Sequence, residues 1–166
     1  EKIGIDIEYV QEKIPLGTAG SLSLLPKKPS APIIVMNGDL LTKVDFGELL
    51  NFHKKQGSSV TVCVREHDIK IPYGVVKCDG TDLTSIDEKP VHKFFVNAGI
   101  YVIEPEVLNY LQVNTHMDMP DLISKLKEKN HQISTFPIFE YWLDIGQKKD
   151  FKRAQKEIGE HFKNSV

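Results

Sequence analysis

Ile33-Ile34-Val35-Met36-Asn37-Gly38-Asp39 is a short, β-branched apolar run stopped by a turn, the pattern of a buried strand. A helix should follow it, because Asp45 with Glu48 three residues on forms a capping-box-like start. Phe46, Leu49, Leu50 and His53 then share one helical face up to Gly57. Strand, turn and helix in that order are the unit of a layered α/β protein. Toward the C-terminus, Val60, Val62 and Val64 alternate with Thr61, Cys63 and Arg65, which is the period of a half-buried strand. Tyr73 to Lys77, Leu83 to Ile86 and Phe94 to Ile103 continue in strand-like fashion, with turns at Cys78-Asp79-Gly80 and Glu88-Lys89-Pro90. Pro105 opens a helix through Leu111, and Asp118 caps another that carries Leu122, Ile123 and Leu126 before Asn130 closes it. Ile133 to Ile138 predicts one more strand, and Phe151, Ala154, Ile158 and Phe162 form one stripe on a final helix from near Gln147. On the N-terminal side, Asp6 to Val10 reads as a strand, and Thr18 is placed to cap a short helix that Pro26 ends. Alternating strands and helices around a run of short strands predict an α/β layer protein with a more antiparallel insertion.

The composition is that of one globular domain. At 166 residues, a chain buries roughly 70% of its unfolded surface, so a core needs no disulfide or metal staple. The formal charge of −2 provides no field to draw the chain onto nucleic acid or an anionic membrane, and no basic block stands out. Purely apolar stretches reach about four residues, far below the roughly 20 that span a bilayer. Cys63 and Cys78 lie in strand-like segments without a redox or zinc motif and read as reduced structural thiols in a cytoplasmic setting. The sequence begins at Glu1 without an initiator methionine and enters a strand-like segment almost at once, which reads as a piece of a longer polypeptide.

Ligands of open α/β sheets collect beyond the carboxyl ends of strands. Asp39 holds such a position. Asp144, within Trp142-Leu143-Asp144-Ile145-Gly146, is a carboxylate among apolar residues that needs a partner, a metal or a helix to cap. Two carboxylates from distant segments suit a magnesium ion, which fills its other positions with phosphate and water. Pro15-Leu16-Gly17-Thr18-Ala19-Gly20 puts bare backbone before a helix, where a flat base or an anion can approach. Glu88-Lys89-Pro90 pairs an acceptor with a cation, suited to sugar hydroxyls and a phosphate or simply to an exposed turn. Asn97-Ala98-Gly99 interrupts an apolar strand, as a bulge or a close ligand approach would. The histidines, His53, His67, His92, His116, His131 and His161, have no metal-site spacing, and no G-x-S-x-G element supports a covalent nucleophile.

Taken in order, Pro15 to Gly20, Val35 to Asp39, Pro72-Tyr73-Gly74-Val75-Val76, Glu88-Lys89-Pro90, Val96 to Tyr101 and Trp142 to Gly146 resemble the sugar-1-phosphate nucleotidylyltransferases. The likeness is strongest to the mannose-1-phosphate guanylyltransferase-like members. It implies a Rossmann-like three-layer αβα sandwich with a mixed sheet and an antiparallel sugar-binding insertion. Such enzymes join an NTP to a sugar 1-phosphate, releasing pyrophosphate and an NDP-sugar. The resemblance implies magnesium on Asp39 and Asp144, the nucleotide beside Gly17 and Thr18, the sugar against Gly74, Glu88 and Asn97, and the sugar phosphate neutralised by Lys89.

One family element has no counterpart in residues 1–166: the G-G-x-G-T-R-L-like loop and nearby lysine that hold the triphosphate. The chain is therefore expected to be a partial catalytic domain, the C-terminal two thirds, with its N-terminal part missing. A sheet edge exposed by that loss invites self-association or pairing with the missing fragment. The alternative is a noncatalytic sugar-phosphate-binding or assembly subunit. A nucleotide-sugar glycosyltransferase would show an Asp-x-Asp motif, and no two aspartates here stand two residues apart.

Overall fold

The computed structural model describes residues 4–162. Strand β1 (Ile33–Met36) pairs antiparallel with β6 (Val91–Ile103), β6 antiparallel with β3 (Val60–Lys70), and β3 parallel with β7 (Ile133–Pro137). The central sheet is thus mixed, in the order β1-β6-β3-β7. Helix α3 (Met119–Glu128) covers one face, where Met119, Leu122 and Leu126 are fully buried against Val60, Val62 and Ile103. Each such side chain contributes about 1.5–3 kcal/mol. Helix α2 (Phe46–Gln56) covers the other, with Leu49 among Cys63, Ile100 and Val102. These are the three layers expected of the chain.

Coverage on both faces changes the reading of β3. Its alternation predicts a half-buried strand, yet Thr61 and Cys63 are as inaccessible as Val60. The polar atoms are satisfied inside: the Thr61 hydroxyl bonds His53 Nδ1 at 2.8 Å, and His53 Nε2 lies 3.2 Å from Glu104. Cys63 acts as a small apolar side chain, its thiol pushed up to about 12 by burial and, secondarily, by the charge of Glu140.

The outer halves of β3 and β6 leave the core as an exposed ribbon, joined by the hairpin of β4 (Gly74–Asp79) and β5 (Asp82–Glu88). This is the antiparallel insertion. Other expectations are corrected or made more specific. Asp6 to Val10 forms no strand; it has no partner among the described residues, and Ile7, Tyr9 and Val10 are exposed. The helix expected from Pro105 is present as a 3-10 helix, Pro105–Tyr110, closed by short-range bonds such as Leu111 N–H to the Leu108 carbonyl. The stripe on the last helix, α4 (Lys148–His161), buries Ala154 but leaves Phe151 and Ile158 about half exposed, at 50% and 49%.

Helix α2 is capped by its own Asp45, which accepts from Gly47 and Glu48 N–H, whereas the starts of the first helical turn and of α3 are satisfied by each other. Thr18 lies inside the single turn α1 (Gly17–Gly20), and its hydroxyl accepts from Met119 N–H at 2.8 Å, the first residue of α3. The side chain of Asp118, the residue before α3, makes no cap bond to its own helix; it accepts instead from Thr18 N–H at 3.1 Å. The main-chain bonds of Ala19 and Gly20 to the Met117 carbonyl complete the lock. Gly17, at φ 76°, permits it, since a Cβ there would stand 2.7 Å from both Asp118 Oδ1 and the Met117 carbonyl. Each lost cap costs about 1 kcal/mol. Thr18→Ala and Asp118→Ala should each destabilise the chain by about that much, and the double variant by clearly less than the sum. Additive losses in denaturant melts would show that the two caps act separately.

Candidate active site

The turn after β1 carries Asn37, Gly38 and Asp39 into a three-residue strand, β2 (Leu40–Thr42). Its antiparallel partner is β8 (Trp142–Asp144), in the register Leu40↔Asp144 and Thr42↔Trp142. The pairing runs one residue further, with Ile145 N–H on the Asp39 carbonyl at 2.9 Å. This short ladder brings Asp39 and Asp144 together across 105 positions of sequence. Asp144 Oδ1 and Asp39 Oδ2 lie 3.1 and 3.2 Å from the point where a Cβ on Gly146 would stand. Glycine keeps the space between the carboxylates open. Asp144 also accepts from Gly146 N–H at 2.8 Å and does not cap α4, whose preceding residue, Gln147, makes no side-chain cap bond.

What holds β8 in place begins in β6. Val62 pairs with Tyr101 and Val64 with Asn97, so Ala98, Gly99 and Ile100 stand opposite Cys63 alone. This is the bulge the interrupted strand predicts, with Gly99 at φ 68°. The Ala98 carbonyl accepts from the Trp142 indole N–H at 2.9 Å, and the Gly99 carbonyl accepts from Asn37 N–H at 2.9 Å. A Cβ on Gly99 would collide with the Asn37 side chain at 2.7 Å. Both ends of the carboxylate pair are therefore tied to one irregularity. Asn97 is held locally, donating to the Tyr101 hydroxyl at 2.6 Å and accepting from Gly99 N–H at 3.0 Å.

Gly74 and Glu88 pair across the hairpin, Glu88 Oε2 lies 3.0 Å from the Gly74 Cβ position, and Lys89 Nζ is 3.7 Å from Glu88 Oε1. Among the described residues no hydrogen bond joins Asn97 to that trio. Gly17 and Thr18 form a third group, on the α3 side of the sheet; Leu40 and Trp142 pack on the α2 side. Sequence reading missed Trp142, Gly146 and Asn37 as the residues that position the carboxylates. The available signal was the single tryptophan two places before Asp144, since a buried indole N–H needs an acceptor.

The sequence matches the nucleotidyl transferase family over residues 1–161. The chain belongs to that family. It is 36% identical over 159 residues to a mannose-1-phosphate guanyltransferase of Aspergillus oryzae, covering 91% of this chain and 43% of that protein. It is 35% identical over 162 residues to the Saccharomyces cerevisiae mannose-1-phosphate guanyltransferase, covering 91% and 44%. The chain thus spans under half the length of these relatives. The solved structure of HddC from Yersinia pseudotuberculosis complexed with GMP-PN has the same fold, at TM-score 0.63 and 21% identity, covering 89% of this chain and 64% of that one. Among the described residues no three His, Cys, Asp or Glu side chains cluster as a metal site, and no helix is long and apolar enough to cross a membrane.

The residue just before β8 is also tied to α4. Tyr141 stacks on His161, with centroids 4.1 Å apart, and donates its hydroxyl to Glu157 at 2.8 Å; Arg153 holds the other Glu157 oxygen at 2.7 Å. Burial, and then the bond to Glu157, push the Tyr141 phenol from 10.0 to about 12. The bonds from Arg153 and Tyr141 hold Glu157 below the usual carboxylate range. A raised phenol contributes stability that is intact below its ordinary value and lost as pH rises toward 12. The depressed carboxylate contributes above its ordinary value, and that contribution is lost as pH falls through the lowered one. Ultraviolet titration should therefore find one tyrosine ionising near 12, absent in Tyr141→Phe. Ionisation of Tyr141 near 10 would contradict the contact.

Proposed function

We propose that this chain is part of a sugar-1-phosphate nucleotidylyltransferase catalytic domain, transferring a nucleotidyl group from an NTP to a sugar 1-phosphate. The observation that carries the reading is the pair Asp39 and Asp144, facing one gap that only glycine at 146 leaves open. The donor set fits magnesium, a hard cation that takes one or two carboxylates and completes its shell with phosphate and water. When bound, it would neutralise phosphate charge during transfer. The chain's own residues do the rest. Asp39 and Asp144 hold their places through the β2–β8 ladder, Glu88 offers acceptors to sugar hydroxyls, and Lys89 offers a cation to the sugar phosphate. An oxygen of that phosphate attacks the α-phosphorus in line as the bond to pyrophosphate breaks, and no covalent enzyme intermediate forms. Gly17, Thr18 and Asn97 are assigned to the nucleotide and the sugar as the family resemblance implies. The relatives' names make GTP and mannose 1-phosphate the first substrates to try, and the free thiols Cys63 and Cys78 favour a reducing, cytoplasmic compartment.

The same reading makes the domain partial, because the departing pyrophosphate needs backbone donors and cations aimed at it. Residues 1–166 contain no glycine-rich triphosphate loop. Assayed alone with magnesium, GTP and mannose 1-phosphate, the chain should give little or no GDP-mannose. Joined to a polypeptide that carries such a loop, it should turn over, and Asp144→Asn should lower kcat by on the order of 100-fold with the melting midpoint unmoved. Robust synthesis by the isolated chain would overturn the partial-domain reading. Full turnover by Asp144→Asn would overturn the metal assignment, and an inactive joined polypeptide would favour a noncatalytic sugar-phosphate-binding subunit.

A further inference from the structure

Arg65 is half-buried at the place where β3 passes from the core into the exposed ribbon, one residue beyond the bulged pair. It is one of two arginines in a chain that otherwise uses lysine for its cations. The neighbouring strand follows β3 only as far as Ile138, whose N–H bonds the Val64 carbonyl at 2.8 Å; the chain then leaves the sheet to reach β8. The Arg65 guanidinium lies along that departure. It donates to the Glu140 carbonyl at 2.8 Å, and its central carbon lies 6.0 Å from the centroid of the Trp142 ring. Trp142 is in turn fastened to Ala98 and stands two residues before Asp144.

We infer that Arg65 is a positioning residue that fixes the path of residues 139–142 and so sets the Asp144 carboxylate opposite Asp39. The inference rests on the reading of that pair as a metal site. Arginine suits the task for a physical reason: one guanidinium donates to a carbonyl while its charge stands over an indole ring. Lysine keeps the charge as a compact point on a flexible stem and lacks the fixed fork of donors. Because β3 also carries one side of the ribbon that leads to Glu88 and Lys89, Arg65 links the ribbon's base to the segment before Asp144, beside the Ala98–Trp142 bond.

Trp142, the only tryptophan, reports on the site directly. Titrating the 166-residue chain with Mn2+ should quench its emission to saturation. Arg65→Met should raise the apparent Mn2+ Kd by about tenfold or more, as loss of an outer-sphere support does, while circular dichroism stays native. Arg65→Lys, which keeps the charge, should fall between the two and serves as the test should the methionine variant fail to fold. Wild-type affinity in both variants, with Asp144→Asn abolishing the quench, would overturn the role of Arg65 and leave the metal pair standing. Absence of saturable quenching in the wild-type chain would overturn the metal pair, and this inference with it.

Discussion

The bulge at Ala98, Gly99 and Ile100 is the constraint on which the arrangement depends. On its β1 edge β6 stays regular, and the Gly99 carbonyl carries the β1–β6 ladder one pair past Met36↔Ile100, to Asn37 N–H. On its β3 edge three residues stand opposite Cys63, and the Ala98 carbonyl accepts from Trp142, which fixes β8. The two carboxylates are then adjacent because their strands are anchored to neighbouring carbonyls of one segment. Gly99 at φ 68° is where the backbone demands glycine twice over, once for its conformation and once for the closeness of Asn37.

This dependence explains what the sequence could show and what it could not. β1, α2, β6 and α4 were legible because each carries its own period, cap or turn signal, and Asp39 and Asp144 stood out as acids at the ends of apolar runs. β2 and β8 were not. Three residues each have no period to read, and they are strands only because they find one another across the chain. The error over β3 has a related cause: alternation of Val with Thr and Cys looks amphipathic, but a threonine bonded to a buried histidine and an unreactive thiol fit an interior face. Asp6 to Val10 shows the converse, a strand-like composition that has no partner strand. Thr18 was rightly read as a cap but assigned to the wrong helix, since nothing local says that its hydroxyl turns to Met119.

The division of labour follows from the layers. The α3 side of the sheet holds the Gly17 loop by exchanged caps, the α2 side holds β2 and β8, and the ribbon beyond the core carries Glu88 and Lys89 on exposed backbone. A rigid core thus supports the acids, while the exposed Glu88–Lys89 turn, with Lys89 at φ 48°, carries the groups assigned to the sugar phosphate.

On the proposed reading, the β2–β8 ladder makes Asp39 and Asp144 into a single cation site. Anomalous diffraction from crystals of the chain equilibrated with Mn2+ tests it directly. One peak is expected in the gap beside Gly146, about 2.1–2.2 Å from an oxygen of each aspartate, a distance close to that of magnesium with its oxygen ligands. A peak held by other side chains, or an empty gap with Mn2+ bound elsewhere, would contradict it.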